Sequence, residues 1–428
     1  MQRRIMDELI HWKTKRNRKP LLLRGARQVG KTWLMKEFGR RCFKNTAYVN
    51  FDSGGKICRI FEEDFDIRRI LQMLNIETGA KIEPEETLII FDEIQEAPRA
   101  ISSLKYFYEN APEYAVIAAG SLLGVSIHEG VSFPVGKIDL LEIHPLSYVE
   151  FLKAVGEEAL AEQVEAANYD AMNTFSDKYI HWLKLYYYIG GMPEAVSDYA
   201  ENGDIYAVRE IQNRLLELYE NDFGKHMPKQ ELARIRMVWN SIPLQLAKEN
   251  KKFFFGQIRQ GARAKEFELA IEWLLDCGLI TKVYRVSKPA VPLKAYTDFA
   301  AFKIYLLDVG LLGAMSELDA RSILEGNELF LEFKGSLTEQ YVLQQLVAET
   351  AYTPYYFSVS AHSEIDFMVQ KEGGVVPVEV KAEENLRAKS LKAYCDKHRP
   401  SYAVRTSMAG YRREEWMVNL PLYGIRNL

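Results

Sequence analysis

The chain has 428 residues, 48% of them apolar and 27% charged, with a formal net charge of −4. That length exceeds what one hydrophobic core usually organises, so two or three domains are expected, and the composition is that of a soluble globular protein, not a disordered or fibrous one. The small net charge excludes a uniformly basic surface, so any nucleic-acid contact has to come from local patches.

Cys42, Cys58, Cys277 and Cys395 are far apart and show no metal-ligand spacing, which fits packed, reduced thiols. The basic N-terminal stretch MQRRIMDELIHWKTKRNRKP lacks the apolar centre of a signal peptide. No run approaches the roughly 18 apolar residues of a membrane span. A cytoplasmic protein without membrane contact is therefore expected. There is no internal repeat and no low-complexity tract.

The first 150 residues alternate strand-like and helix-like segments. Leu21 to Arg24 is a short apolar strand, followed by a glycine-rich turn and a helix from about Lys31 to Arg41. The turn, Gly25-Ala26-Arg27-Gln28-Val29-Gly30-Lys31-Thr32, has the spacing G-x-x-x-x-G-K-T and runs on into Trp33. Polyphosphate is dense in negative charge, so a loop that binds it must bring several backbone N–H groups close together. Glycines permit that approach, and the following helix N-terminus adds positive potential. Lys31 is expected on the β- and γ-phosphates of ATP, and Thr32 on Mg²⁺. A turn with an accidental lysine is the bland alternative, disfavoured by the strand before it and the helix after it.

Further strands are expected at Ala47–Phe51, Thr87–Phe91 and Tyr114–Ala119. Unbroken apolar strands separated by helices predict a parallel sheet covered on both faces. Asp92 and Glu93 close the third of these strands. Asp92 is placed to assist magnesium, and Glu93 to orient or deprotonate a water. Ser121, after the fourth, is a candidate polar sensor of the γ-phosphate or simply a turn serine. Arg69, Arg99 and Lys137 are candidates for stabilising transition-state charge.

From about Phe151 to Asn221 the pattern is helical, and Gly190-Gly191-Met192-Pro193 follows an aromatic run. Lys251 to Lys265 carries five basic residues and no acidic ones. The helical pattern on either side of Gln260-Gly261 and the strand pair after it look like a winged helix. In that reading Arg259, Arg263 and Lys265 would meet DNA. A solvated helical connector is the alternative, and Phe267, Ile271, Leu274 and Leu275 read as core. The chain ends with a helix containing Glu339 to Leu346 and strands at Tyr355–Phe357, Ile365–Val369 and Val375–Val380, with Ser390-Leu391 opening another helix.

The landmarks LLLRGARQVGKT, LIIFDEIQ, AAGS, IHPLSYVEF, YIGGMPEAV and EIDFMV…VPVEVKAEENLRAKSLKAY together resemble prokaryotic AAA-type ATPases fused to a C-terminal half long labelled a domain of unknown function. The resemblance spans nearly the whole chain. It implies an ATP-binding and ATP-hydrolysing enzyme using magnesium, and such relatives often form rings, which leaves an oligomer open. One departure concerns Gly136-Lys137, where relatives often carry Gly-Arg; lysine is the poorer bidentate phosphate partner.

The closing segment looks like the D…E-x-K core of restriction-endonuclease-like nucleases. Asp366 and Glu379 on neighbouring strands would bind a divalent cation, and Lys381, on the same strand face as Glu379, would activate water or stabilise the phosphorane. Glu339 would be the upstream helical carboxylate that completes the metal set. The alternatives are surface charge on a sheet, or a decayed nuclease that only holds DNA or protein.

The expected fold class is therefore α/β in four parts: a P-loop AAA-type parallel-sheet domain (1–150), a helical linker or lid (151–231), a winged-helix-like region (232–325) and a restriction-endonuclease-like α/β domain (326–428).

Overall fold

The fold is seen in a computed structural model that describes residues 2–120, 134–226, 229–248, 251–325, 331–360, 363–383 and 388–428. The chain divides into two compact units. One comprises residues 2–144 with 276–278, and the other residues 145–275 with 279–428. The expected divisions at 231 and 325 fall inside the second unit.

The first unit is built on five strands: β1 (Leu21–Arg24), β2 (Asn45–Asn50), β3 (Thr87–Asp92), β4 (Ala115–Ala119) and β5 (Asp139–Glu142). Their order is β2-β3-β4-β1-β5 and every pairing is parallel. β3 and β4 are buried along their whole length, as continuous apolar runs demand when helices cover both faces of a sheet. One core forms around Phe51, Phe61, Phe91 and Phe107, whose rings meet edge to face at 5.6–6.1 Å. β5 alternates half-buried and exposed residues at the sheet edge, and its short DLLE segment has only two apolar residues.

The second unit holds an eight-stranded mixed sheet. Its strands are β6 (Ile280–Val286), β7 (Thr297–Leu306), β8 (Tyr355–Ser360), β9 (Ser363–Lys371), β10 (Gly374–Val380), β11 (Val404–Ser407), β12 (Arg412–Arg413) and β13 (Val418–Pro421). They lie in the order β12-β13-β11-β10-β9-β8-β6-β7. The β9–β10 turn puts Glu372 at φ 49° and Gly373 at φ 77°. Two successive left-handed residues match the right-handed strand twist of a tight hairpin.

Buried polar contacts join the helices of this unit. Ser147 and Glu150 form a reciprocal capping box at the start of the Tyr148–Ala154 helix. The Gly190-Gly191 pair then wraps a fully buried carboxylate. Gly191 N–H donates to Asp308 Oδ2 at 2.6 Å, and Leu311 N–H and Gln344 Nε2 donate to the same carboxylate at 3.0 and 2.9 Å. Burial pushes the Asp308 carboxyl above its usual range, opposed by these donors. Leu146 N–H donates to Gly191 O at 2.7 Å. A Cβ on Gly190 would sit 2.1 Å from Asp308 Oδ1, and one on Gly191 2.1 Å from Leu146 O. The sequence marks this place only as a turn; close backbone approach is why it is glycine.

The helix Leu331–Glu349 runs through the unit with polar groups spent on the backbone of its neighbours. Gln340 exchanges hydrogen bonds with Leu306 N–H and C=O at 2.9 and 2.6 Å, and Gln345 Oε1 accepts from Tyr148 N–H at 2.8 Å. No helix among the described residues is long and apolar enough to cross a membrane.

Gly191→Ala should lower stability by about 1–3 kcal/mol, because backbone must move to admit the methyl. Gly335→Ala, in the Leu331–Glu349 helix and facing open space, should be neutral or stabilise by about 0.5–1 kcal/mol. Chemical denaturation of the two variants checks both; an unchanged midpoint for Gly191→Ala would refute the close contact.

Candidate nucleotide site and carboxylate–lysine cluster

The Gly25–Thr32 loop connects β1 to the helix Lys31–Cys42. Three of its residues take positive φ: Gly25 at 147°, Gln28 at 63° and Gly30 at 92°. Gly25 has no alternative, because a Cβ there would lie 2.2 Å from Ile143 O, just past β5. Ala26 and Val29 are buried and anchor the loop, while Arg27 is half-buried and Gln28 exposed. Trp33, on the first turn of the helix, is 45% exposed.

Lys31 is buried and folds back into the loop, donating to Gly25 O at 2.9 Å and Ala26 O at 2.7 Å. Burial lowers its pKa to about 8, against the opposing pull of Glu93 and Asp92.

Thr32 and Asp92 come from opposite sides of the cleft and meet. Thr32 Oγ1 donates to Asp92 Oδ2 at 2.7 Å, across two elements separated by 60 positions in sequence. Tyr48, on β2, donates its hydroxyl to the same oxygen at 2.9 Å. Glu93 N–H donates to Asp92 Oδ1 at 3.2 Å. The hydroxyl and carboxylate oxygens form a hard donor set, which fits magnesium. Glu93 leaves β3 in the left-handed region, at φ 52°, and its Oε2 accepts from Gln95 Nε2 at 2.6 Å.

Ser121 lies outside the described residues. Of the candidate charge stabilisers, Arg69 pairs with Glu63 and Asp64, Arg99 donates to Phe61 O at 2.8 Å, and Lys137 Nζ lies 3.0 Å from Glu109 Oε1. Arg99 and Lys137 line one open cavity of about 480 Å³ with Phe65 and Tyr106, which Arg69 does not reach.

In the second unit the structure gathers Glu339, Asp366, Glu379 and Lys381, and adds four groups that the sequence reading did not place in this site. Glu339 is buried on the Leu331–Glu349 helix. Its Oε1 takes Lys251 Nζ at 2.5 Å, and its Oε2 takes the Tyr305 hydroxyl at 3.1 Å with Lys303 Nζ 3.7 Å away. Lys303, 1% exposed, also meets Glu364 Oε1 at 2.5 Å. Asp366 Oδ2 accepts from Val380 N–H at 2.7 Å. Glu379 Oε1 lies 2.8 Å from Lys381 Nζ, which agrees with the two side chains sharing a strand face.

The charges respond to one another. Burial would raise the Glu339 carboxyl, but Lys251 and Lys303 bring it below its ordinary value. Asp366 is pushed well above the usual carboxylate range by burial and by Glu339 and Glu379 beside it. Burial also raises Glu379, against the pull of Lys381. Among the described residues no three His, Cys, Asp or Glu side chains form a ready cation cage. Glu339, expected as a metal ligand, has both oxygens engaged by protein donors. The second oxygen of Glu379 is different: Oε2 is buried and has no hydrogen-bond partner among the described residues. With Asp366 on the adjacent strand, that oxygen is the candidate ligand for a divalent cation.

Residues 17–152 match the model of a family described as an AAA domain. The first unit contains an AAA-type P-loop domain. Two further matches lie beyond the AAA domain: residues 180–322 with a Domain of unknown function (DUF8612), and residues 334–423 with a Domain of unknown function (DUF4143). Comparison with curated proteins finds no match. Among solved structures, the Walker-type ATPase of Pyrococcus abyssi is 15% identical with a TM-score of 0.46, covering 74% of this chain and 95% of that one. The ORC1 protein of Aeropyrum pernix, solved in complex with DNA, is 15% identical with a TM-score of 0.29, covering 73% and 90%. Cdc6p from Pyrobaculum aerophilum is 11% identical with a TM-score of 0.23, covering 72% and 88%.

Tyr48 of the AAA domain, and Lys303 and Tyr305 of the second unit, carry no motif; Gln95, Lys251 and Glu364 stand in quoted stretches without having been singled out as site residues. Lys303 did leave a signal. It is the single charge in the otherwise apolar run Ala300–Leu307, and a lysine inside a buried strand has to be paired.

The AAA-domain lysine makes nucleotide affinity depend on pH. Free Lys31 holds its proton below about pH 8 and loses it above. Polyphosphate favours the protonated form, so affinity should be flat below that point and fall by up to about tenfold per pH unit above it, until the raised pKa of the complex is passed. Titrations of nucleotide between about pH 7 and about pH 10 check this. In Lys31→Arg the fall should vanish, since arginine stays charged.

Proposed function

We propose that this chain binds ATP with magnesium in its AAA domain and hydrolyses it, and that turnover serves a nucleic-acid task in the second unit. The observation that carries the first part is the Thr32–Asp92 hydrogen bond beside a loop whose lysine is already inside it.

In this reading the backbone N–H groups of Gly25 to Thr32 cradle the phosphates, with Trp33 continuing the helix behind them. Lys31 supplies the charge that offsets the β- and γ-phosphates. Thr32 and Asp92 would hold magnesium, and Tyr48 fixes the Asp92 carboxylate. Magnesium, when bound with the nucleotide, neutralises phosphate charge and orients the reacting group. Glu93 aligns the attacking water and accepts its proton. The left-handed backbone at Glu93 and the Gln95 amide both restrict where its carboxylate can point.

For the second unit we adopt the restriction-endonuclease-like reading. It is supported by the chain order helix (Leu331–Glu349), β8, β9, β10, helix (Lys389–His398), β11, and by Asp366 on β9, Glu379 on β10 and Lys381 just past its end lying together. The winged-helix reading is supported by the Lys229–Leu246 and Ala264–Asp276 helices followed by the antiparallel β6–β7 pair. Within it Arg259 is bonded to Glu266, which leaves Arg263 and Lys265 as the freer DNA contacts of the three. A second reading is favoured by the lysines on Glu339: an ATP-driven switch whose nuclease-like domain binds DNA or protein without cutting it.

Purified protein should hydrolyse ATP, and Lys31→Ala should abolish this by losing nucleotide. Glu93→Gln should keep nucleotide affinity and lose turnover by about 100-fold or more. Undiminished turnover in either variant would sink the assignment. For the second unit, cleavage of DNA with magnesium or manganese should disappear in Asp366→Ala and Lys381→Ala. DNA retention without cleavage under every condition selects the switch.

A further inference from the structure

The nuclease-like reading gives the second unit three carboxylates for metal and one lysine for chemistry. The structure gives a different balance. Of four carboxylates, Glu339, Glu364 and Glu379 are met by three ammonium groups, Lys251, Lys303 and Lys381, while Asp366 takes a backbone N–H. Lys381 belongs to the motif. The other two come from outside the matched segment 334–423, Lys251 from before the short Phe255–Ile258 helix and Lys303 from β7.

Lys303 is the telling residue. Its ammonium stands between two carboxylates, one on a helix and one on β9, at 3.7 and 2.5 Å. That is the bridging task a second divalent ion performs in two-metal sites. It reaches the cluster entirely through the interior, at 1% exposure, with the Tyr356 ring 5.0 Å from its Nζ. A divalent ion entering between Glu339 and Glu364 would have to displace this ammonium and leave it buried without a counter-charge, which is strongly disfavoured. Lys251 and the Tyr305 hydroxyl take what remains of Glu339. The opposite end of the cluster is built otherwise. Glu379 keeps one buried oxygen without a hydrogen-bond partner among the described residues, and Asp366 spends its Oδ2 on a backbone N–H.

We propose that Lys303 is a permanent internal cation of this site, standing where a second metal would, so that the site takes a single divalent ion on Asp366 and Glu379 while Glu339 is withdrawn from metal ligation. The inference rests on the nuclease-like reading of the second unit. It makes Lys303 a positioning residue: it holds Glu339 and Glu364 and touches no substrate.

The test is manganese stoichiometry on the full chain, nucleotide-free, read by electron paramagnetic resonance of free Mn²⁺ alongside calorimetry. The ions lost in Asp366→Asn, relative to wild type, count those held by the cluster. One ion should be lost in Asp366→Asn and in Glu379→Gln, and that same ion should persist in Glu339→Gln. Lys303→Met should gain a second ion, which Glu339→Gln removes again; thermal melting reports whether that variant is folded. If it is not, the Glu339→Gln result in the wild-type lysine background still decides. Two ions in wild type, or loss of the single ion in Glu339→Gln, would overturn the proposal and leave the nuclease-like reading standing. No ion lost in Asp366→Asn would overturn that reading and the proposal with it.

Discussion

A charge taken out of water has to be met by an opposite charge or by hydrogen bonds, and most of the informative features of this chain follow from how it meets that demand. Asp92 is buried at the end of an apolar strand and is satisfied by Thr32, Tyr48 and the next backbone N–H. Asp308 is buried among helices and is satisfied by the N–H groups of Gly191 and Leu311 and the Gln344 amide, at an approach that the Gly190-Gly191 pair permits. Glu339 is buried in the second unit and is satisfied by two lysines and a tyrosine. Each solution draws on segments far apart in sequence, so each ties the local fold together as it neutralises the charge.

The three solutions have different consequences. At Asp92 the hydrogen-bond partners are uncharged, two hydroxyls and a backbone N–H, so none of them competes with a cation for its charge. At Asp308 the donors are structural and the group is enclosed, which makes it a joint between helices. At Glu339 the partners are themselves cations, so the negative charge is already spent. A buried carboxylate thus serves as a candidate metal ligand, a structural joint or a charge-balanced anchor, according to what lies within about 3 Å of it.

The contrast between the two candidate sites has the same origin. The phosphate loop of the AAA domain is a local object. Its chemistry needs glycines, a lysine and a hydroxyl in consecutive positions, because a backbone cradle is made from neighbouring N–H groups. The carboxylate–lysine cluster is assembled from a helix, three strands and a segment before the Phe255–Ile258 helix. Nothing local requires those residues to be close, so only part of it is written as a motif.

What the sequence determined by itself follows that division. The four apolar runs of the first unit, the glycine loop and the Asp92-Glu93 pair were legible, because strand burial and phosphate binding each impose a short-range pattern. The strands that pair as β9 and β10 were legible as short apolar runs. β5 was not, since a short half-exposed edge strand has no apolar run to announce it. The tertiary structure alone decided that Tyr48 braces Asp92, that Gly190 and Gly191 enclose Asp308, and that Glu339 belongs to Lys251 and Lys303. Those outcomes depend on which side chains packing brings together. A sequence can show that a lysine in an apolar strand needs a partner, but only three-dimensional packing decides which carboxylate that partner is.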